Sequence, residues 1–169
     1  AGGGTPDAGP KRWTARTTAA DTRAVGALAT APSDDRVVYP GTGEGALSGD
    51  SYYSDGVYRS ADGGVTWAHV SGHTFDGQSM SDIVVDLTNP NHLWAATLRG
   101  RAGIRRTTHP STTPFGVWES TDAGAHWTLP KGTPNEPHAA TDLVLDPPSP
   151  TPPGAAVGGE GIPPPTARS

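Results

Sequence analysis

A repeated block is the feature of this sequence that most restricts its fold. Residues 60–67 read Ser-Ala-Asp-Gly-Gly-Val-Thr-Trp, and residues 120–127 return as Ser-Thr-Asp-Ala-Gly-Ala-His-Trp, sixty positions later. At the same offset, the apolar stretch at residues 81–86 matches residues 141–146. An earlier copy starts at residue 25 and aligns with the next one when shifted by fifty-five. Such self-similarity is typical of repeat arrays, in which each unit buries its apolar faces against its neighbours.

Short apolar runs separated by Gly, Pro, Asn and Asp clusters predict strands, and no segment has sustained helical periodicity. The predicted strands are 25–30, 36–42, 56–60 and 66–70 in one unit, and 80–86, 92–98, 115–120 and 126–129 in the next. Four strands per unit favour a β-propeller blade, because horseshoe repeats are shorter and usually carry a helix. The predicted fold is therefore all-β: about two and a half four-stranded antiparallel propeller blades that do not close into a ring.

The repeat divides the chain into five predicted regions. They are the end of a preceding blade at 1–20, a blade at 21–77, a second blade at 78–137, the start of a further blade at 138–146, and a tail at 147–169. Because the tail is rich in proline and glycine and loses the repeat pattern, we expect it to be disordered. Complete propellers have about four to eight blades, so the isolated chain should expose blade faces and self-associate.

The Ser-x-Asp-x-Gly-x-x-Trp spacing suits a tight turn between the third and fourth strands of a unit. Its residues are Ser60, Asp62, Gly64 and Trp67 in the first copy, and Ser120, Asp122, Gly124 and Trp127 in the second. The Asp and Ser side chains can accept hydrogen bonds from their own loop, and the Gly permits a positive φ. The Trp ring can cover the turn and pack on a neighbouring blade. The motif is therefore predicted to be structural rather than catalytic.

These residues resemble the Asp-box, or bacterial neuraminidase repeat, of the sialidase, sortilin and xyloglucan-hydrolase propellers. The context at 39–45, 49–53 and 56–60 is similar to the sortilin-like and bacterial glycosyl-hydrolase-like members, and the resemblance covers roughly residues 5–146. It implies structural boxes in a parent protein that is secreted or exposed at the cell surface. The Gly-rich start of the chain lacks the charged-then-apolar order of a signal peptide.

Loops between the second and third strands should lie at the end of the blade opposite the boxes, and loops on a rigid scaffold carry most function. In the first loop, the weak catalytic candidates are Glu44, Asp50 and Asp55, and the ligand-stacking candidates are Tyr52 and Tyr53. Glycoside cleavage needs two carboxylates at a defined separation, which sequence does not supply. The alternatives are a solvated acidic loop and tyrosines packed on their own blade.

The second long loop holds four arginines in eight residues, of which Arg99 and Arg101 are ligand-binding candidates. Sialidases gather their arginines from separate blades, so a cluster in one loop favours a solvated basic segment instead. Six histidines show no close metal-ligand spacing: His69, His73, His92, His109, His126 and His138. With no cysteine either, the sequence predicts no metal site and no cofactor.

Composition narrows the partner classes. The net charge of −5 argues against a nucleic-acid ligand, and no run approaches the roughly 18 apolar residues of a membrane span. The leading hypothesis is a non-catalytic binding or scaffold segment with a glycan or protein ligand. One alternative is part of a xyloglucanase- or sialidase-like glycoside hydrolase whose catalytic residues lie largely outside this chain. A second alternative is a truncated, inactive product.

Overall fold

The computed structural model describes residues 24–45, 52–100, 114–129 and 139–145. Its strands are β1 (Val25–Ala31), β2 (Asp34–Thr42), β3 (Tyr58–Arg59), β4 (Ala68–His69), β5 (Gln78–Val85), β6 (Leu93–Arg99) and β7 (Val117–Ser120). No helix occurs in the described ranges, which confirms the predicted all-β class. A helix long and apolar enough to cross a membrane is accordingly not found among these residues.

The first unit consists of strands β1 to β4 in antiparallel sequential order. β1 pairs with β2, and Leu28 lies opposite Pro40. β2 is joined to the third strand by bridges between Val38 and Ser60 and between Gly41 and Val57, and β3 pairs with β4. Backbone hydrogen bonding thus links all four predicted runs of this unit in the order of the sequence.

The second unit consists of β5, β6 and β7, which form one antiparallel sheet in that order. A bridge between Glu119 and Thr128 adds the segment after the second box as a fourth strand position. Residues 139–145, here called the third segment, lie against this unit, because the Leu143 N–H donates to Asp82 Oδ2 at 2.9 Å. None of the described sheets closes on itself.

The two units pack face to face around one shared apolar core. Its members come from both units: Ala27, Ala31, Val37, Tyr39, Val57, Phe75, Met80, Ile83, Val85, Leu93, Ala95 and Trp118. Gly41 permits the close approach of the sheets, because a Cβ there would lie 2.3 Å from Met80 Sδ. The Tyr39 hydroxyl crosses the interface and donates to the Pro90 carbonyl at 2.8 Å.

Phe75 provides a second link between the units. This side chain belongs to the segment that leads from β4 to β5, and it is fully buried. Its ring meets those of Trp118 and Trp127 edge-on, with centroid distances of 5.6 and 5.0 Å. The tryptophan of the second box therefore packs against the preceding unit.

Equivalent positions of the repeat differ in burial according to whether a preceding unit covers them. Leu28, Ile83 and Leu143 occupy the same place in successive copies, at offsets of fifty-five and sixty. Ile83 and Leu143 are 3% and 4% exposed, whereas Leu28 is 66% exposed. Leu28 thus marks the open face of the first unit within the described part of the chain.

Candidate functional site

The first box folds into a turn closed by side chains on its own backbone. Ser60 Oγ accepts the Gly64 N–H at 2.8 Å and donates to Asp62 Oδ1 at 2.7 Å. The Asp62 carboxylate in turn accepts the Val65 N–H at 3.0 Å and both the N–H and the hydroxyl of Thr66. Ser60 is buried, so its hydroxyl replaces water as the partner of the turn.

The second box repeats this hydrogen-bond pattern sixty residues later. Ser120 Oγ accepts the Gly124 N–H at 2.9 Å and donates to Asp122 Oδ1 at 2.9 Å. Asp122 accepts the His126 N–H at 2.8 Å, and its other oxygen lies 2.6 Å from His126 Nδ1. The Trp127 indole N–H donates to the Gly124 carbonyl at 2.8 Å. The chemically different Thr66 and His126 thus occupy one structural role.

Hydrogen bonding lowers the pKa of both box aspartates. The Thr66 hydroxyl and N–H hold the pKa of Asp62 well below its usual range. The His126 N–H, followed by its side chain, lowers the pKa of Asp122 to about 2. Donors to a carboxylate favour its charged form. Both carboxylates are therefore ionised at neutral pH and hydrogen-bonded to their own turns, a state suited to structure rather than to proton transfer.

The boxes and the long loops lie at opposite ends of the sheets. The Gly63 N–H donates to the Arg36 carbonyl near the start of β2, and the Ala123 N–H donates to the Asn91 carbonyl just before β6. The long loops leave from the other ends of the same two strands, after Thr42 and after Arg99. The box turns and the bases of the long loops therefore lie at opposite ends of β2 and β6.

At the loop end, the segment from Tyr52 to Asp55 leans onto the second unit. The Ser54 N–H donates to the Gln78 carbonyl at 2.8 Å. The Tyr53 ring lies beside Gly100, where an added Cβ would be 2.6 Å from Tyr53 Cδ1. Tyr52 remains 45% exposed, and its carbonyl accepts the Glu44 N–H at 3.0 Å. One tyrosine of the predicted pair thus anchors the loop, and the other faces solvent.

The predicted acidic and basic candidates are only partly brought together. Glu44 is half-buried at the start of the loop, whereas Asp55 is exposed and its carboxylate accepts the Tyr58 hydroxyl at 2.5 Å. Arg99 is exposed at the end of β6, opposite Gln78 in the ladder. Asp50 and Arg101 lie outside the described residues. A second carboxylate at catalytic separation from Asp55 therefore stays a hypothesis.

Two buried threonines at the loop bases were not singled out from sequence. Thr42 ends β2, and Thr97 holds the same position in β6 at an offset of fifty-five. Each donates its N–H and its hydroxyl to one carbonyl on the returning strand, that of Gly56 or Gly116. The signal that sequence offered was a threonine at matching positions of the repeat, near the end of the strand that precedes each long loop.

A second arrangement missed from sequence surrounds His92. Its Nε2 lies 2.8 Å from Glu119 Oε1, its Nδ1 lies 3.7 Å from Asp86 Oδ2, and its ring centroid is 4.1 Å from that of Trp94. The two carboxylates face different ring nitrogens, so the three groups do not converge on one point. Among the described residues, no group of three acidic, histidine or cysteine side chains could hold a metal ion.

The loop end thus offers an exposed tyrosine, a carboxylate held by a tyrosine hydroxyl, and an exposed arginine. These groups can stack on a ring and form hydrogen bonds with polar substituents. Neither the models of known protein families nor the curated proteins include a match to this chain. The function is therefore inferred from the motif and from the geometry of the two ends.

Proposed function

We propose that this chain is a segment of an exported Asp-box β-propeller that acts as a non-catalytic binding scaffold. Its ligand, a glycan or a protein, would bind at the loop end, where the Tyr52 ring is exposed. Each unit would be one blade, with the boxes as structural turns. Two box turns with the same hydrogen-bond pattern support the blade assignment, as does the antiparallel order of four strand positions per unit.

The observation that carries the binding proposal is the arrangement of the two tyrosines. Tyr53 packs on Gly100 of the next unit, which fixes the base of the loop against a rigid sheet. Tyr52 is held through its backbone by Glu44, while its side chain remains 45% exposed. An aromatic ring that is held in place but uncovered loses little conformational freedom on binding, which favours a stacking contact.

A glycan array probed with the full 169-residue chain tests this proposal. For the glycan that binds the unaltered chain, Tyr52→Ala should raise the dissociation constant about fivefold or more, because loss of one aromatic contact costs about 1 kcal/mol of binding free energy. Val65→Ala is the matched control, since Val65 is an exposed apolar side chain in the first box turn, at the other end. Equal loss in both variants, or no loss in Tyr52→Ala, would refute the proposed surface.

Hydrolysis assays separate the binding scaffold from the hydrolase alternative. Asp55 has one carboxylate oxygen occupied by the Tyr58 hydroxyl, an arrangement that favours a structural role over general acid or base chemistry. Hydrolysis assays on xyloglucan and sialosides with the parent protein should therefore show no turnover that depends on Glu44 or Asp55. Turnover abolished by substitution of either residue would favour the glycoside hydrolase instead.

A further inference from the structure

Two buried threonines lie near the points where the long loops leave the sheet, and the hydrogen bonds that they donate match in both units. Thr42 and Thr97 are fully buried; Thr42 is the last residue of β2, and Thr97 lies two residues before the end of β6. In the first unit, Gly56 O accepts both the Thr42 N–H at 3.0 Å and the Thr42 hydroxyl at 2.8 Å. In the second, Gly116 O accepts the Thr97 N–H at 2.8 Å and its hydroxyl at 3.2 Å.

Each threonine oxygen also accepts hydrogen bonds from the returning chain. Thr42 Oγ1 accepts the Asp55 N–H at 2.7 Å. Thr97 Oγ1 accepts the Gly116 N–H at 3.0 Å and the Trp118 indole N–H at 3.2 Å. A hydroxyl can donate one hydrogen bond and accept two, so one side chain at the base of each loop binds both a carbonyl and N–H groups of the returning chain.

The receiving glycines match as well, because Gly56 and Gly116 have φ values of +114° and +154°. For Gly56, an added Cβ would lie 2.2 Å from Ser71 Oγ, so that turn lacks room for a side chain. Thr42 further approaches Ser54, whose hydroxyl lies 3.2 Å away and accepts the Gly56 N–H at 2.9 Å. Ser54 is the residue whose N–H reaches Gln78 in the next unit.

We propose that Thr42 and Thr97 are positioning residues, each of which fixes the segment that returns from its own long loop, independently of the other. For Thr42 that segment runs from Tyr52 to Asp55, the candidate binding surface. The importance of this segment for a ligand rests on the proposed function. The positioning itself depends only on the hydroxyl contacts, so it can be measured without any ligand.

The test is residue-resolved amide hydrogen exchange by NMR on the full chain. Thr42→Val keeps the β-branched shape and removes the hydroxyl, so the Asp55 amide should exchange about tenfold faster or more, as expected for loss of its hydrogen bond to a buried side chain. Exchange at Gly116 should stay unchanged. In Thr97→Val, the Gly116 amide and the Trp118 indole N–H should exchange faster, with Asp55 unaffected. Thr42→Ser should restore the slow exchange of Asp55.

Three results would overturn the positioning role. One is an unchanged Asp55 amide in Thr42→Val, and another is faster exchange throughout the chain, which would indicate general destabilisation. The third is failure of the Thr42→Ser variant to recover. If the positioning result holds but Tyr52→Ala leaves glycan binding intact, the proposed ligand surface fails while the role of the threonines stands. The two inferences are thus separately testable.

Discussion

Ser60 offers the sharpest test of whether the box turns stabilise the fold. Its side chain is 1% exposed, and its oxygen is the hydrogen-bond acceptor for the Gly64 N–H, which lies in a buried residue. Ser60→Ala removes that acceptor without adding bulk, so a buried donor loses its partner. Such a loss costs about 1–3 kcal/mol of folding free energy. Ser60 Oγ also accepts the Asp62 N–H at 3.2 Å, but Asp62 is exposed, so this N–H can form a hydrogen bond with water in the variant.

We therefore expect Ser60→Ala to lower the free energy of unfolding by about 1–3 kcal/mol, and Ser120→Ala to do the same, because its contacts match. The assay is urea unfolding followed by tryptophan fluorescence, at one fixed protein concentration because self-association would shift the apparent stability. Thr30→Val, at an exposed position of β1, is the control and should change stability by less than about 0.5 kcal/mol. A Ser60→Ala effect no larger than this control would refute the reasoning.

Three further perturbations follow from individual contacts. Gly63 has a φ of +70°, and an added Cβ there would meet no atom within 4 Å, so Gly63→Ala should cost only the left-handed backbone penalty of about 1 kcal/mol, measured by urea unfolding. Ala123 has a φ of +62° and therefore already carries this penalty, so Ala123→Gly should not destabilise the fold. Because the pKa of Asp122 is lower in the folded state, the stability that this residue contributes is present above about pH 4 and is lost as the pH falls towards 2. An NMR titration of its carboxyl group should give a midpoint near 2. In Asp122→Asn, the free energy of unfolding should depend less on pH in this acidic range. If the open face that Leu28 marks mediates self-association, Leu28→Glu should lower the average mass measured by sedimentation equilibrium. Val65→Glu, at an exposed position of the first box turn, is the control and should leave the mass unchanged. Equal masses for the two variants would contradict this role of Leu28.

Much of the local structure could be predicted because it depends on contacts within a few residues. The Ser-x-Asp-x-Gly spacing determines a turn whose hydrogen bonds run from residue 60 or 62 to positions two to four further along. Short apolar runs separated by turn residues were enough to predict the all-β class and the approximate strand positions. Strand ends were less accurate, since β4 is limited to Ala68–His69 while the pattern predicted residues 66–70.

The candidate site was less accessible to sequence, because its contacts join distant residues. The acidic character of the first loop gave no sign that Tyr53 packs on Gly100 or that the Ser54 N–H reaches the Gln78 carbonyl. His92 gave no local signal either, since Glu119 lies 27 residues away along the chain.

The sequence by itself determined the repeat, the turn chemistry of the boxes and the all-β class, because these depend on spacing and backbone preference. Only the tertiary structure decided which equivalent residues are buried. Leu28 and Ile83 have nearly the same chemistry and the same place in the repeat, yet one is exposed and the other is covered by a neighbouring sheet. Burial depends on what packs across an interface, which is information that no single repeat contains.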